Sequence, residues 1–140
     1  MSDRKVLISI RPQFCERILN GEKIIEFRKN APKLNPPFTC IIYCSKGSGK
    51  DTYNVTHGKV VGEFTCDKIE SFAVAGSGKI PDWENLNLCR GTLSPEAISE
   101  YVGNGKTGYA WNIKDLKIYG EPKELSSLGL SRPPQSWCYY

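Results

Sequence analysis

The sequence predicts one mostly-β domain of the α+β class, in which a small barrel of short strands is plugged by short helices. Its 140 residues fit a single domain, 1–140, and 39% hydrophobic with 24% charged residues is typical of a globular protein. Short β-rich segments separated by turn residues run along the chain. Only two helical patterns lie between them, without the regular alternation that a doubly wound parallel sheet requires.

The first half of the chain contains three predicted strands and one helix. Residues 6–11 are a β-rich strand, and Pro12 then fixes φ for the first turn of a helix that ends at Gly21. Residues 23–29 and 38–43 have the alternating or continuously apolar patterns of strands. Loops rich in Pro, Gly or Asn are predicted at 30–37 and 45–58.

The second half adds three strands, one helix and an apolar tail. A strand is predicted at 59–69, and Gly62 within it indicates a bulge or a close approach of two backbones. Ser94 is placed to cap a helix that ends at Gly103. Its inward-facing residues are expected to be Ala97, Ile98, Tyr101 and Val102. The last strands are predicted at 108–113 and 116–119, and the tail 128–140 is apolar enough that we expect it to pack on the body.

The charge and the cysteine content limit the classes of function. A net charge of +4 and a pI near 8.7 are less basic than expected of a dedicated duplex binder, although they allow a local basic groove. No signal-peptide pattern or membrane-length apolar run is present, so we expect a cytoplasmic protein without a membrane partner. In that compartment the six cysteines are expected to be reduced thiols.

The sequence gives no pattern for a metal ion or a cofactor. Cys40 and Cys44 share a face of a predicted strand, but positions four apart lie roughly 13 Å from each other at strand rise. His57 is the single histidine, and no further close Cys pair accompanies it. We therefore expect neither a metal site nor a cofactor.

Three glycine–lysine segments resemble fragments of a P-loop without completing one. A P-loop needs a glycine five positions before its Gly-Lys pair, because the backbone amides of the whole loop surround the phosphates. That position holds Cys44, Ala73 and Glu100 in the three segments. They are predicted to be surface loops, in the first of which Lys46 and Lys50 can still meet a phosphate.

The most informative stretch is Gly21–Arg28, where a helix end turns directly into a strand. It presents Lys23, Glu26 and Arg28 among Ile and Phe residues on both faces of the strand. Some of these charges must therefore border the interior and need partners. The alternative is an exposed Glu26–Arg28 pair, which would stabilise the fold by at most about 1 kcal/mol. Strand parity separates Lys23 from Glu26 unless Lys23 lies in the turn.

Aromatic and polar residues that could complete a site occur later in the chain. Each aromatic side chain is by itself more typical of the core than of a ligand site. The segment from Arg132 to Trp137 contains two consecutive prolines, which stiffen it in an extended form. It is predicted either to line a cleft or to serve as a structural support.

Several of these segments together resemble the ASCH domain, a branch of the PUA-like superfamily. They are Ile8–Pro12, the Gly-x-Lys-x-x-Glu-x-Arg pattern at 21–28, Ile42–Ser45, Lys59–Phe64, Gly108–Trp111 and Ser131–Trp137. The last of them is similar to small ASCH proteins of Gram-positive bacteria and their phages. The resemblance covers nearly the whole chain. It implies a barrel of five to six strands with two or more short helices, and a cleft beside the 21–28 pattern.

The resemblance implies that a nucleotide or short single-stranded RNA binds in this cleft. Lys23, Glu26 and Arg28 are expected at its centre, since they can bind an exocyclic amine, a carbonyl or a phosphate. The residues expected around them are Tyr43, Lys46, Arg132, Gln135 and Trp137.

Two other functions stay open. Some small ASCH enzymes are amidohydrolases of N4-acylcytidine, in which a lysine and a threonine of this motif take part. Lys23 stands at the position of that lysine and Glu26 at the position of the threonine, so these two are the candidate catalytic residues. The third possibility is a protein interaction module of a phage or mobile element.

Overall fold

A computed structural model describes residues 4–47 and 53–140 of the chain. They form one curled, mixed six-stranded sheet with two α-helices, which confirms the predicted mostly-β architecture. The strands are β1 (Val6–Ile10), β2 (Ile25–Arg28), β3 (Phe38–Cys44), β4 (Lys59–Ala73), β5 (Thr107–Lys123) and β6 (Trp137–Tyr139). The helices are α1 (Pro12–Leu19) and α2 (Pro95–Val102), with 3-10 turns at Leu88–Gly91 and Leu125–Leu128.

The strands follow one another across the sheet in the order β2-β5-β4-β3-β1-β6. β1 is parallel to β3, with Ile10 opposite Cys44, whereas the other pairs are antiparallel. β6 pairs with β1, so the tail packs on the body as predicted. Because β1 and β3 are parallel neighbours, their C-terminal ends lie side by side at one end of the sheet.

β5 is one continuous strand and not the two that the sequence predicts. Glu63 pairs with Lys117 and Thr65 with Lys114, so β5 has one more residue than β4 in this interval. Asp115, with φ of 50°, lies in this bulge. A bulge keeps the chain within the sheet and sharpens its twist, while its polar residues give it the sequence pattern of a turn.

Gly62 confirms the predicted close approach of two backbones. A Cβ atom at this position would lie 2.6 Å from the carbonyl oxygen of Lys117 on β5. The register between β4 and β5 also shifts between Val60 and Gly62. Only glycine lets the two strands come this close.

The two helices contribute to different hydrophobic cores. α1 buries Cys15 and Ile18 in the main core, which is centred on Phe64 and Trp111. α2 buries Ile98 and Val102 in a second core. Its N-terminus is capped as predicted, since Ser94 Oγ accepts a hydrogen bond from the backbone N–H of Ala97 at 3.1 Å.

Within the described residues, neither α-helix has the length and apolar content that crossing a bilayer demands. The same part of the chain contains no cluster of three or more His, Cys, Asp or Glu side chains placed to hold a metal ion.

Candidate functional site

A cleft of about 480 Å³ opens between α1, α2 and residues 135–136 of the tail. Its floor is formed by polar side chains of β1, β2 and the tail, and its walls by the apolar faces of the helices. The floor consists of Ser9, Glu26, Arg28 and Ser136, and the walls include Phe14, Leu93, Ala97 and Tyr101. Arg11 lies at the rim, where it follows β1 and precedes α1.

Glu26 on the cleft floor is placed between two cations. Its Oε2 atom accepts a hydrogen bond from Arg28 Nη2 at 2.7 Å, and its Oε1 atom lies 3.5 Å from Lys23 Nζ. The two residues meet because Lys23 precedes β2 and lies in the turn, where strand parity does not apply. Its backbone N–H donates to the carbonyl of Arg17, which continues the end of α1 into this turn.

Lys23 is buried behind the floor and is absent from the residues that line the cleft. Its Nζ atom donates to the carbonyl oxygen of Gly91 at 2.5 Å, and the rings of Phe14 and Phe27 lie 5.4 and 5.2 Å from it. Desolvation lowers the Lys23 pKa from its ordinary value, while the charge of Glu26 opposes this shift. Lys23 therefore acts on the cleft by positioning Glu26.

Gly91 makes this burial possible. A Cβ atom on Gly91 would overlap the ring of Phe27, so a larger residue would displace the turn that supplies the carbonyl acceptor for Lys23.

Arg28 links three segments of the chain. Besides Glu26, its guanidinium donates from Nη2 to the carbonyl of Ser9 at 2.8 Å and from Nη1 to Ser136 Oγ at 3.1 Å. Its buried Nε atom has no hydrogen-bond partner among the described residues. Since both terminal nitrogens are engaged by the protein, Arg28 holds β1, β2 and the tail together beneath the cleft.

Tyr101 is a residue of the cleft that the sequence pattern places in the core. Its side chain is 40% exposed, and Lys29 Nζ lies 5.1 Å from the centre of its ring. On α2 the buried positions are Ile98, Ser99 and Val102, whereas Ala97 and Tyr101 face the cleft. The spacing of four between Ala97 and Tyr101 was the signal of a second helix face.

Tyr43 and Lys46 line a second cavity, of about 590 Å³, on the other side of the β1 and β3 ends. We call this the adjoining cavity. It has Ser9, Ser45 and Gln135 in common with the cleft. The predicted site residues are thus divided between the cleft and the adjoining cavity. Of these predicted residues, Gln135 alone lines both spaces.

Arg132 and Trp137 line neither space. Arg132 is exposed on the tail. The Trp137 ring packs 5.8 Å from that of Trp111, and its Nε1 donates to Asn30 Oδ1 at 2.7 Å. These contacts of Trp137 are structural, which was one of the two roles predicted for residues 132–137. Lys50, the other predicted phosphate contact, lies outside the described residues.

The fold of the chain is similar to that of several solved structures. An ASCH crystal structure from Zymomonas mobilis superposes with a TM-score of 0.75 at 21% identity, covering 99% of this chain and 89% of that one. The chain has the ASCH fold. The predicted resemblance is confirmed at this level, together with the PUA-like architecture that it implied.

Two further solved structures are similar to the chain. A mutant structure of the Zymomonas mobilis protein gives a TM-score of 0.74, covering 97% of this chain and 89% of that one. The N-terminal domain of Staphylothermus marinus McrB gives 0.52 at 11% identity, covering 91% of this chain and 80% of that one.

Sequence comparisons are sparser. No protein-family model matches the chain. ATP synthase subunit alpha of Ureaplasma parvum serovar 3 aligns at 25% identity over 134 residues, which are 96% of this chain. The chain spans 15% of the length of that curated relative.

Proposed function

We propose that this protein binds a nucleotide or a short stretch of single-stranded RNA in the cleft. The proposal is carried by one observation, the position of the Glu26 carboxylate on the floor of a cleft with aromatic walls and a cation at its rim. A base needs a flat apolar surface for stacking and a polar group for its edge, and its phosphate needs a positive charge.

The floor is suited to the edge of a base. Glu26 Oε1 lies 3.5 Å from Lys23 Nζ, which leaves lone pairs free to accept from an exocyclic amine. Ser9 Oγ donates its proton to the carbonyl of Pro134 at 2.7 Å, so its oxygen also faces the cleft as an acceptor. This floor therefore favours a base that presents hydrogen-bond donors.

The walls and the rim supply stacking and charge. The half-exposed ring of Tyr101 is the best placed aromatic surface, and stacking of this kind contributes about 1–3 kcal/mol per base. The guanidinium of Arg28 is engaged by Glu26, Ser9 and Ser136. By contrast, the side chain of Arg11 at the rim has no hydrogen-bond or ion-pair partner among the described residues. Arg11 is thus the better candidate for a phosphate contact.

The test is a titration of short labelled RNA followed by fluorescence anisotropy. Tyr101→Ala should weaken binding roughly 5- to 150-fold, as loss of one stacking contact would. The matched control is Tyr140→Ala, because Tyr140 is 45% exposed and does not line the cleft. Affinity should also fall as salt rises, since phosphate contacts release counterions. Equal effects of the two substitutions, or binding insensitive to salt, would contradict the proposal.

A second candidate function, amidohydrolysis of N4-acylcytidine, is favoured by the lowered pKa of Lys23 beside a carboxylate. Against it, Lys23 Nζ donates to the carbonyl of Gly91 and Lys23 does not line the cleft.

Incubation with N4-acetylcytidine and chromatography of the products distinguishes amidohydrolysis from nucleotide binding. Cytidine formed by the unmodified protein and lost on Glu26→Gln, but not on substitution of the half-buried Glu70 outside the cleft (Glu70→Gln), would establish the hydrolase. If the protein neither forms cytidine nor binds RNA, the remaining hypothesis is the protein interaction module.

A further inference from the structure

The cleft and the adjoining cavity have three lining residues in common, and we call these three residues the ridge. The ridge consists of Ser9, Ser45 and Gln135, each of which contributes to both spaces. Ser9 and Ser45 are small, and Gln135 is exposed on the tail. A ligand longer than one nucleotide can therefore lie across the ridge.

One unpaired cation stands on each side of this ridge. β1 and β3 are parallel with Ile10 opposite Cys44, so Arg11 and Lys46 leave the sheet at neighbouring strand ends. Arg11 lines the cleft and Lys46 lines the adjoining cavity. Among the described residues neither side chain has an ion-pair partner. The carboxyl ends of parallel strands are also a common place for ligands to bind.

The local charge favours an anion on both sides. Beside the cleft, Lys23, Arg28 and Arg11 against Glu26 give a formal charge of +2. In the adjoining cavity, Glu124 is paired with Lys59 at 3.1 Å, which leaves the charge of Lys46 uncompensated.

The position of Lys46 is set by the backbone beside it. Gly58 has φ of 73°, and a Cβ atom there would lie 3.2 Å from Lys46 Cγ. The aliphatic part of the Lys46 side chain thus packs on Gly58, which precedes β4. The Gly58 N–H donates to the carbonyl of Cys44, the last residue of β3, at 2.7 Å.

Resting on the proposed function, we infer that the two spaces form one groove for two consecutive nucleotides of a single strand. One base lies in the cleft with its phosphate near Arg11, and the next nucleotide lies in the adjoining cavity with its phosphate near Lys46. The ligand class is therefore an oligonucleotide strand and not a free nucleoside.

The experiment is calorimetry with cytidylate, adenylate and uridylate ligands of one, two and four nucleotides. For the base that binds best, we expect the dinucleotide to bind at least tenfold more tightly than the mononucleotide, and the tetranucleotide only a few-fold more tightly again. In Lys46→Ala the ratio of dinucleotide to mononucleotide affinity should fall towards one. The control Lys117→Ala, which removes an exposed lysine of β5 that lines neither space, should keep the ratio.

Salt dependence gives a second readout that a change in folding would not imitate. For a single strand, the slope of log affinity against log salt changes by about 0.7 for each phosphate contact. Lys46→Ala should reduce the slope for the dinucleotide by about this amount, and Lys117→Ala should not.

The outcomes separate the two proposals. Mononucleotide binding without a gain for the dinucleotide would overturn the two-nucleotide groove and leave the proposed function standing. A gain that Lys46→Ala does not reduce would also overturn it. No binding by any member of the series would overturn the proposed function, and the groove with it.

Discussion

Two sets of charged residues in this protein differ in their burial and in their partners. Lys23, Glu26 and Arg28 are buried and engaged with one another and with the backbone. Arg11 and Lys46 are exposed and have no ion-pair partner among the described residues. The comparison teaches that most of the charge in the 21–28 motif builds the cleft, and that cations outside the motif are the ones free to bind a ligand.

The largest effect should follow from removing the buried ammonium group. Lys23→Met leaves the Gly91 carbonyl without a donor and Glu26 with one cation, so we expect the free energy of unfolding to fall by about 3 kcal/mol. Urea denaturation measures this loss. The control Lys68→Met breaks an exposed pair with Glu70 and should cost less than about 1 kcal/mol. Similar losses in both variants would erase the distinction between the two sets of charges.

A backbone substitution should disturb the buried set without changing any charge. Gly91→Ala introduces a methyl group into the space of the Phe27 ring, so we expect a loss of about 1–3 kcal/mol in the free energy of unfolding. Gly76→Ala is the matched control, because nothing lies within 4 Å of its Cβ position. Equal stability of the two alanine variants would show that the turn accommodates the methyl group and does not fix Lys23.

The pH dependence of stability should sharpen the comparison further. The folded-state pKa of Lys23 lies below its ordinary value of 10.5, so between these two values the unfolded chain binds more protons than the folded one. The advantage of the unmodified protein over Lys23→Met should therefore grow as pH rises through this window, by about 1.4 kcal/mol for each unit of pKa depression. Urea midpoints between pH 7 and pH 10 measure it. A constant or shrinking advantage would mean that the Lys23 pKa is not lowered.

The smallest effect on stability should come from the exposed cations. Arg11→Ala and Lys46→Ala should each change the free energy of unfolding by no more than about 0.5 kcal/mol, because neither side chain has a partner to lose among the described residues. Their thermal midpoints should thus match that of the unmodified protein while RNA affinity falls. A marked loss of stability would assign these side chains a structural role.

The fold could be predicted largely from local signals. Pro12 and Gly21 delimit α1, Ser94 and Gly103 delimit α2, and apolar runs mark the strands. The break predicted inside β5 was wrong because the polar residues of a bulge and those of a turn have similar composition. Such a bulge depends on register with β4, which is a long-range property.

The candidate site was predictable in part. The apolar residues on both parities of β2 require its charges to be buried, and they are. By contrast, the separation of Tyr43 and Lys46 from the cleft depends on the parallel pairing of β1 with β3. The roles of Arg11 and Tyr101 depend on that pairing and on the packing of α2. No local pattern encodes these contacts.

The tail has a consequence for how the protein is made. Ser9 donates from its backbone N–H to Ser136 and from its hydroxyl to Pro134, a separation of 125 residues for the latter pair. During synthesis the N-terminal strands emerge first, while the segment that completes the cleft floor is still being translated. A ribosome-bound chain that lacks this segment would leave Arg28 without Ser136 and β1 with an open edge. The cleft floor would thus be completed late, after the tail has left the exit tunnel.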